Sequence, residues 1–314
     1  MRLARPLAVV TAVAALTLLA ASPASAAPPA LPDGWQLVTI NCSDVSDGPA
    51  KIMTVDSATG ASSPIATAPA GAVCGYTGAW DRTTDTAYFT AWDSTTALLA
   101  YDPATGTVTK VADLSGDSTF AYAMTIDLDG NAYVVYNGDL FSLDLTTGVV
   151  TFLAELLEPD PNAYAFAVDP RTGDLYLLDE DGDLYLIDPA QAPGTGVDTY
   201  VASWTFPEGG EDTWGLTIDD NGTAWVTDTS SDVGYVSLFS VPLDTFGTAT
   251  PEFSGELLLN GEFVDAWWVT VMPALPPQPQ LAATGLEVTT GMAVGALALV
   301  AGFGVVLLAR RRTA

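Results

Sequence analysis

The feature that most constrains the fold of this chain is a repeat that occurs four times. Each copy begins with an eight-residue stretch, CGYTGAWD, FAYAMTID, NAYAFAVD or DTWGLTID, and these stretches end at Asp81, Asp127, Asp169 and Asp219. The spacing between copies is 46, 42 and 50 residues. Each stretch is followed by a turn and by further short runs rich in β-branched and aromatic residues, which are typical of strands. Four strands per copy at this period predict the blades of a β-propeller, whereas a helical solenoid would need a 3.6-residue period that this region lacks.

The two ends of the repeat region complete one another. Residues 35–67 contain three strand-like runs with no first strand before them, and DAWWVTVM at 265–272 is a first strand followed by a Pro-rich segment. If the last strand enters the first blade, the ring closes without an open sheet edge. The sequence therefore predicts an all-β domain over 27–272, a five-bladed β-propeller closed by a C-terminal strand. Its predicted blades are 35–67 with 266–272, 76–114, 121–156, 163–204 and 212–257.

The turns between the predicted strands carry Asp and Gly at regular places, as in DPATG at 102–106 and DPRTG at 169–173. Because Asp accepts hydrogen bonds from the backbone of such turns, these carboxylates are predicted to be turn formers. With these motifs, residues 35–272 resemble secreted bacterial propellers with D-P-x-T-G repeats. The resemblance implies the fold and no particular activity, since propellers include enzymes, lectins and scaffolds.

The N-terminus has the three parts of a secretory signal peptide. Arg2 and Arg5 precede an apolar run at 7–21, and Ala24-Ser25-Ala26 fits the A-x-A cleavage pattern. We therefore predict that residues 1–26 are a signal peptide. The alternative is a membrane-retained helix, for which the apolar run is short.

The C-terminus has an arrangement that would hold the protein at the cell surface. A Pro-rich linker at 273–280 is followed by LAATG, by an uncharged run at 288–309, and by three arginines. The uncharged run is long enough to cross a bilayer as a transmembrane helix, and the arginines would keep the tail in the cytoplasm. In this order, residues 281–314 resemble the cell-wall sorting signal of Gram-positive bacteria.

That resemblance implies two partners, a sortase and peptidoglycan. The sorting motif consists of Leu281, Ala282, Ala283, Thr284 and Gly285. Ala282 stands where the common LPxTG form has Pro, as in the LAxTG variant of one sortase class of high-GC Gram-positive bacteria. By this resemblance the enzyme cuts between Thr284 and Gly285 and joins Thr284 to the wall. The alternative is a plain single-pass membrane protein.

Charge and composition narrow the function. Segment 27–284 contains 37 of the 38 acidic residues and four of the nine basic ones, so its net charge is −33. Such a surface repels nucleic acid and anionic lipid, so we expect neither as a partner. The chain has no His, which excludes Ser-His-Asp and Cys-His nucleophile systems and His-ligated metals. The remaining options are carboxylate chemistries, namely glycoside hydrolysis or a calcium-dependent lactonase or lyase reaction.

The two cysteines, Cys42 and Cys74, are predicted to form a disulfide. Secretion would place them in an oxidising compartment. Cys42 follows the second strand of blade 1 and Cys74 precedes the first strand of blade 2, so both loops lie on the same face of the propeller. The alternative, a metal-bound thiolate pair, lacks further Cys or His ligands.

An aromatic residue occupies the same position in every first strand. These residues are Tyr76, Tyr122, Tyr164, Trp214 and Trp267. Because innermost strands line a propeller axis, the five rings could form a ligand ring on which sugars stack. The alternative is core packing between blades, since the same strand faces continue with apolar residues.

The densest acidic cluster, DEDGD at 179–183, allows a calcium site formed by Asp179, Asp181 and Asp183. It resembles half of a calcium loop, although Leu184 stands where that pattern has Gly. The alternative is a solvated acidic loop without metal. No other cofactor is expected.

These observations leave three functions open. The first is a cell-surface propeller that binds an extracellular glycan or protein without catalysis, and the sequence favours it because no catalytic motif is complete. The second is a surface carbohydrate-active enzyme that uses carboxylates. The third is a spacer or adhesive module without a defined pocket.

Overall fold

The structure is a computed structural model that describes residues 29–274, except 43–47, 93–94, 158, 160–161, 195–196, 207–211, 231–234 and 246–249. The predicted signal peptide, most of the predicted linker, the sorting motif and the predicted transmembrane helix lie outside the described residues. Within the described part of the chain, no helix is long and apolar enough to cross a membrane.

Five antiparallel sheets surround one axis, which confirms the predicted all-β, five-bladed propeller. Blade 1 contains β1 (Trp35–Ile40), β2 (Lys51–Val55), β3 (Ala61–Thr67) and, innermost, β23 (Thr270–Pro273). Blade 2 contains β4 (Cys74–Asp81), β5 (Thr86–Trp92), β6 (Thr96–Asp102) and β7 (Thr107–Asp113). Blade 3 contains β9 (Ala123–Ile126), β10 (Ala132–Tyr136), β11 (Asp139–Leu143) and β12 (Val149–Glu155).

The last two blades follow the same order from the axis outwards. Blade 4 contains β13 (Ala165–Val168), β14 (Leu175–Leu178), β15 (Asp183–Ile187) and β16 (Asp198–Ser203). Blade 5 contains β17 (Asp212–Ile218), β18 (Thr223–Ser230), β19 (Tyr235–Pro242) and β20 (Glu252–Glu256). Among the described residues, short 3₁₀-helices lie in the connections at Pro189–Gln191 and Leu243–Thr245.

Two outer sheet edges are covered by short strands from a neighbouring connection. Strand β8 (Ser115–Gly116) pairs in parallel with β12 of blade 3. Strand β21 (Leu258–Leu259) pairs in parallel with β3 of blade 1, and β22 (Glu262–Phe263) pairs with β21. Added strands of this kind occupy backbone groups that an open edge would offer to another chain.

The ring closes as predicted, because β23 pairs antiparallel with β1 from Trp35↔Pro273 to Val38↔Thr270. The strand begins at Thr270, later than the predicted 266. Before Thr270, hydrogen bonds from threonine side chains replace the backbone hydrogen bonds of the sheet. Thr227 Oγ1 donates to the Trp267 carbonyl at 2.9 Å, and Thr39 Oγ1 donates to the Trp268 carbonyl. The closing segment is therefore attached both to its own blade 1 and to the neighbouring blade 5.

The core is divided among the five interfaces between blades. One cluster of buried apolar side chains fills each interface, and the cluster between blades 1 and 2 contains Trp80, Phe89 and Trp268. Glycine makes room for Trp268 on both sides. A Cβ on Gly78 would stand 2.9 Å from its ring, and a Cβ on Gly215 would stand 2.7 Å from its Cα. Close packing between inner strands thus explains the small residues of the repeat.

Candidate functional site

Irregular backbone at the start of each inner strand places the repeated aromatic residue at the axis. The ladder of blade 2 skips Tyr76, and the ladder of blade 5 skips Trp214, as β-bulges do. In blades 3 and 4 the strand begins one residue after Tyr122 and Tyr164, and Trp267 precedes β23. Because a bulge redirects a side chain, these irregularities bring all five rings to the same end of the axis.

The five rings form a continuous series of contacts around the axis. Ring centroids are 5.4 Å apart for Tyr76 and Trp267, 4.9 Å for Trp267 and Trp214, and 4.2 Å for Trp214 and Tyr164. The series continues at 5.0 Å from Tyr164 to Tyr122. Tyr76 meets Trp267 edge to face, Trp214 stacks on Tyr164, and the other two pairs are tilted; edge-to-face and stacked contacts are favourable for aromatic pairs.

These rings line a cavity of about 310 Å³, here called the aromatic cup. Its lining consists of Tyr76, Phe120, Ala121, Tyr122, Tyr136, Tyr164, Trp214 and Trp267. The five repeated aromatics are half-buried, while residues two positions further along the strands, such as Met124 and Phe166, are fully buried between blades. The structure thus distinguishes the aromatic residues that line the cup from the core residues between blades, which the sequence alone could not do.

Sequence reasoning missed two rings of the cup, Phe120 and Tyr136. Phe120 stacks on Tyr136 at 5.7 Å, and Tyr136 contacts Tyr122 edge to face at 4.8 Å. Trp92 stands behind them, stacked on Phe120 at 5.7 Å. Phe120 directly precedes the Ala121-Tyr122 pair, and Tyr136 ends β10. An aromatic residue at these two places was the sequence signal that could have assigned them to the cup.

The polar atoms of the cup are partly engaged within the protein. Trp214 Nε1 donates to Thr229 Oγ1 at 2.9 Å, and Trp267 Nε1 donates to Asp265 Oδ1. Partial burial removes water from the Asp265 carboxyl and raises its pKa, and the hydrogen bond from Trp267 partly opposes this. Burial also raises the pKa of Tyr76 and, together with the nearby Tyr136, that of Tyr122. At neutral pH these phenols are uncharged.

Little space remains along the axis beyond the cup. Inner strands of all five blades meet under it around a second cavity of about 30 Å³, enough for one water molecule. Arg82 lines that cavity and donates to Asp220 at 2.8 Å. The guanidinium also lies 4.7 Å from the centre of the Trp35 ring. An ion pair between blades 2 and 5 therefore lies at the far end of the axis.

The disulfide between Cys42 and Cys74 is confirmed. It joins the loop after β1 to the start of β4. The backbone N–H of Cys42 donates to the Asp265 carbonyl at 2.6 Å, which places the disulfide beside the closing segment and the rim of the cup. The bond therefore links blade 1, blade 2 and the segment that carries Trp267.

The DEDGD loop forms a hydrogen-bonded turn. Asp179 is buried, and its Oδ1 accepts the backbone N–H of Asp183 at 2.8 Å. The Asp179 carbonyl accepts the Gly182 N–H at 3.2 Å and also the hydroxyl of Thr213 from blade 5. Among the described residues, no group of three or more acidic, Cys or His side chains is arranged to hold a metal ion. The calcium site of Asp179, Asp181 and Asp183 stays a prediction.

Turns at the other end of the inner strands are stabilised by their own carboxylates. In each, the Asp that ends the repeat stretch accepts the backbone N–H of the residue two positions on, at 2.8 or 2.9 Å. These residues are Asp81, Asp127, Asp169 and Asp219. Arg171 adds ion pairs to Asp169 at 2.9 Å and to Asp244 at 3.1 Å. The abundant acidic turns are thus structural, as predicted.

No model of a protein family matches the sequence, and no curated protein matches it. Several solved structures have a similar fold. A protein of unknown function from Bacteroides caccae is 10% identical, with 77% of this chain and 88% of that chain covered and a TM-score of 0.42. The periplasmic gluconolactonase of Pseudomonas aeruginosa is 12% identical (78% and 70% covered, TM-score 0.38). The PQQ-bound aldose sugar dehydrogenase of Streptomyces coelicolor is 14% identical (71% and 86% covered, TM-score 0.40). The likeness to all three concerns the fold alone.

Proposed function

We propose that this protein is a cell-surface binding module, anchored to the wall, whose propeller holds a small ligand in the aromatic cup without catalysis. The observation that carries the proposal is the cup itself. Its volume of about 310 Å³ lies at the lower end of the range of ligand pockets. A concave pocket encloses more of a small ligand than a flat surface can.

The state of the rings also supports binding. Large aromatic side chains contribute most to stability when they are fully buried. Five repeated positions instead keep rings half-exposed at one point of the molecule, while Trp225 and Trp268 are almost completely buried elsewhere. Exposed aromatic surface gathered in a concavity is the kind of surface that a ligand covers.

The lining favours binding over hydrolysis. Glycoside hydrolysis uses two carboxyl groups about 5 to 9.5 Å apart on either side of the scissile bond. None of the described residues that line the cup carries a carboxyl group, and Asp265 at the rim is engaged with Trp267. The chain also has no His to act as a general base.

The location rests on the two ends of the chain. The predicted signal peptide directs export, and the sequence from LAATG through the apolar run to the arginines supports retention on the wall. The strongly acidic composition suits an exposed, soluble domain.

Binding in the cup is tested with the propeller segment 29–274, whose ring closes within itself, and a panel of oligosaccharides and small organic cations and anions. Trp214→Ala removes a ring of the cup, and we expect a ligand of the wild type to lose roughly 10-fold or more in affinity. Tyr200→Ala is the matched control, because Tyr200 is 51% exposed on β16. Titration calorimetry measures both. Equal losses in the two variants, or no ligand in the panel, would contradict the proposed cup function.

Anchoring is tested separately in a Gram-positive host with a sortase for LAxTG motifs. We expect the wild type in the wall fraction, released by wall digestion, and Thr284→Ala in the membrane fraction. Complete extraction of the wild type by detergent alone would show that it is a plain membrane protein.

A further inference from the structure

Within the proposed binding function, on which this inference rests, we propose that the aromatic cup selects an organic cation, in particular a quaternary ammonium group. The aromatic walls, the distribution of charge and the engaged indole N–H groups each support this class of ligand over a neutral sugar.

Charge is distributed so that no basic side chain lines the cup of this acidic protein. Segment 27–284 contains four basic residues, Lys51, Arg82, Lys110 and Arg171, and none of them lines the cup. Arg82 and Arg171 are paired with carboxylates at the far end of the axis, and Lys110 is paired with Asp113 at 2.6 Å on β7. We therefore expect a negative potential in the cup, which would attract a cation and repel an anion.

The walls provide the short-range attraction. A cation is attracted to the face of an aromatic ring when it lies within about 6 Å of the ring centroid, and quaternary ammonium groups are bound in this way. Seven rings line the cup, and the centroids of the repeated aromatics are 4.2 to 5.4 Å from their neighbours, so a cation against the wall can contact more than one ring. The carboxyl of Asp265, one hydrogen bond away from Trp267, adds an opposite charge at the rim.

Two of the hydrogen-bond donors in the cup are not available to a sugar. Sugars need directed hydrogen bonds in addition to stacking, because burying an unpaired hydroxyl is unfavourable. The two indole N–H groups of the cup already donate to Thr229 and Asp265. A quaternary ammonium group needs no hydrogen bond, so it fits walls of this kind.

The test compares choline with neohexyl alcohol, its uncharged carbon isostere, on the propeller segment 29–274. The two probes have nearly the same shape, so their difference reports the charge. We expect choline to bind ~10-fold more tightly at low salt. Asp265→Asn keeps an acceptor for Trp267 but removes the charge, and it should weaken choline several-fold while leaving the alcohol unchanged. Asp220→Asn, at the far end of the axis, is the matched control and should change neither.

Three results would overturn the proposal in different ways. Equal affinity for choline and the alcohol, lost in Trp214→Ala, would retain a binding cup and reject cation selection. Binding of neutral oligosaccharides without choline would do the same. Choline binding that survives Trp214→Ala would place the cation outside the cup.

Discussion

The two ends of the propeller axis use their side chains in opposite ways. At the far end, Asp81, Asp127, Asp169 and Asp219 accept hydrogen bonds from the turns that contain them, and Arg82 and Arg171 neutralise neighbouring carboxylates. At the cup, half-buried rings surround an open cavity. Hydrogen bonds and ion pairs within the turns at the far end stabilise the fold. Aromatic surface that the protein itself leaves uncovered is available to a ligand. The comparison therefore supports a structural role for one end of each inner strand and the proposed binding role for the other.

The largest effect should come from removing the strand that serves both ends. Ending the chain at Glu262 deletes Trp267 of the cup and all of β23, with its pairing to β1 and the bond from Val271 N–H to Thr217 Oγ1 at 3.1 Å. Buried apolar contacts around Trp268 are lost with it. We expect the melting temperature to fall by roughly 10 °C or more, or the chain not to fold.

A chain that ends at Pro276 is the control for this truncation. It retains β23 in full, so its melting temperature should equal that of a chain that ends at Thr284. Equal stability of the chains ending at Glu262 and Pro276 would show that the closing strand does not hold the ring together. Scanning calorimetry distinguishes these outcomes.

The next largest effect concerns the far end. Asp219 is fully buried and accepts the N–H groups of Asn221 and Thr223 and the indole N–H of Trp225, at 2.9 to 3.0 Å. Asp219→Ala leaves the buried Thr223 N–H and the buried Trp225 indole N–H without this acceptor. We therefore expect a loss of about 3 kcal/mol of unfolding free energy, measured by denaturant titration.

Asp220 provides the neighbouring control. Its ion pair with Arg82 is exposed to solvent, so Asp220→Ala should cost less than about 1 kcal/mol. Ligand affinity in the cup should be unchanged in Asp220→Ala. A large loss of affinity in that variant would contradict the separation between the two ends.

A smaller effect on stability is expected at the cup. Trp214 is half-buried, and its ring contacts Tyr164 and Trp267. Trp214→Ala should therefore cost only about 1–2 kcal/mol of unfolding free energy, less than a fully buried Trp. The same variant should lose most of the ligand affinity. If its stability falls as far as that of Asp219→Ala, the ring is a core element and the contrast between the ends is wrong.

Much of this fold follows from the sequence because repeats report their own period. The blade count, the closing strand and the disulfide partner of Cys74 all follow from the order of strand-like runs. The start of β23 at Thr270 does not, because it depends on hydroxyls of Thr39 and Thr227 from other parts of the chain. When side-chain hydrogen bonds replace the backbone hydrogen bonds of a sheet, the sequence shows no periodic pattern that marks the change.

The candidate site was predictable in part. The five repeated aromatics were visible in the sequence, but the sequence could not decide between a ligand ring and core packing between blades. Alternation assigns Tyr122 and Met124 to the same face of a strand, and irregular backbone at the strand starts is what sends the first residue of each pair to the axis. Phe120 and Tyr136 join the cup through tertiary contacts across blade 3.

The smallest effect concerns pH and compares one carboxyl from each end. Burial raises the pKa of both Asp219 and Asp265, so the folded protein binds protons at these sites more readily than the unfolded chain does. Their stabilising contribution is complete below the unfolded pKa of about 3.9 and is lost as the pH rises through the raised folded values.

The pKa values of Asp113 and Asp144 are lowered by hydrogen bonds, and their contribution is lost only when the pH falls below about 3.9. Self-repulsion of the acidic surface also decreases on acidification. The unfolding free energy should therefore rise as the pH falls from 7 towards 4.5.

The variant Asp265→Asn isolates the contribution of the Asp265 carboxyl, at the rim of the cup, to the pH dependence of the unfolding free energy. Asn mimics the protonated carboxyl and retains an oxygen for Trp267 Nε1. Because Asp265 is still exposed on its outer side, the variant should gain only a few tenths of a kcal/mol at pH 7 after allowance for solvent screening. Near pH 4 it should coincide with the wild type, whose carboxyl is then increasingly protonated. Denaturant titrations at several pH values measure both curves. A variant that is less stable than the wild type at pH 7 would show that the Asp265 charge stabilises the folded rim, which is the opposite of the effect expected from its burial.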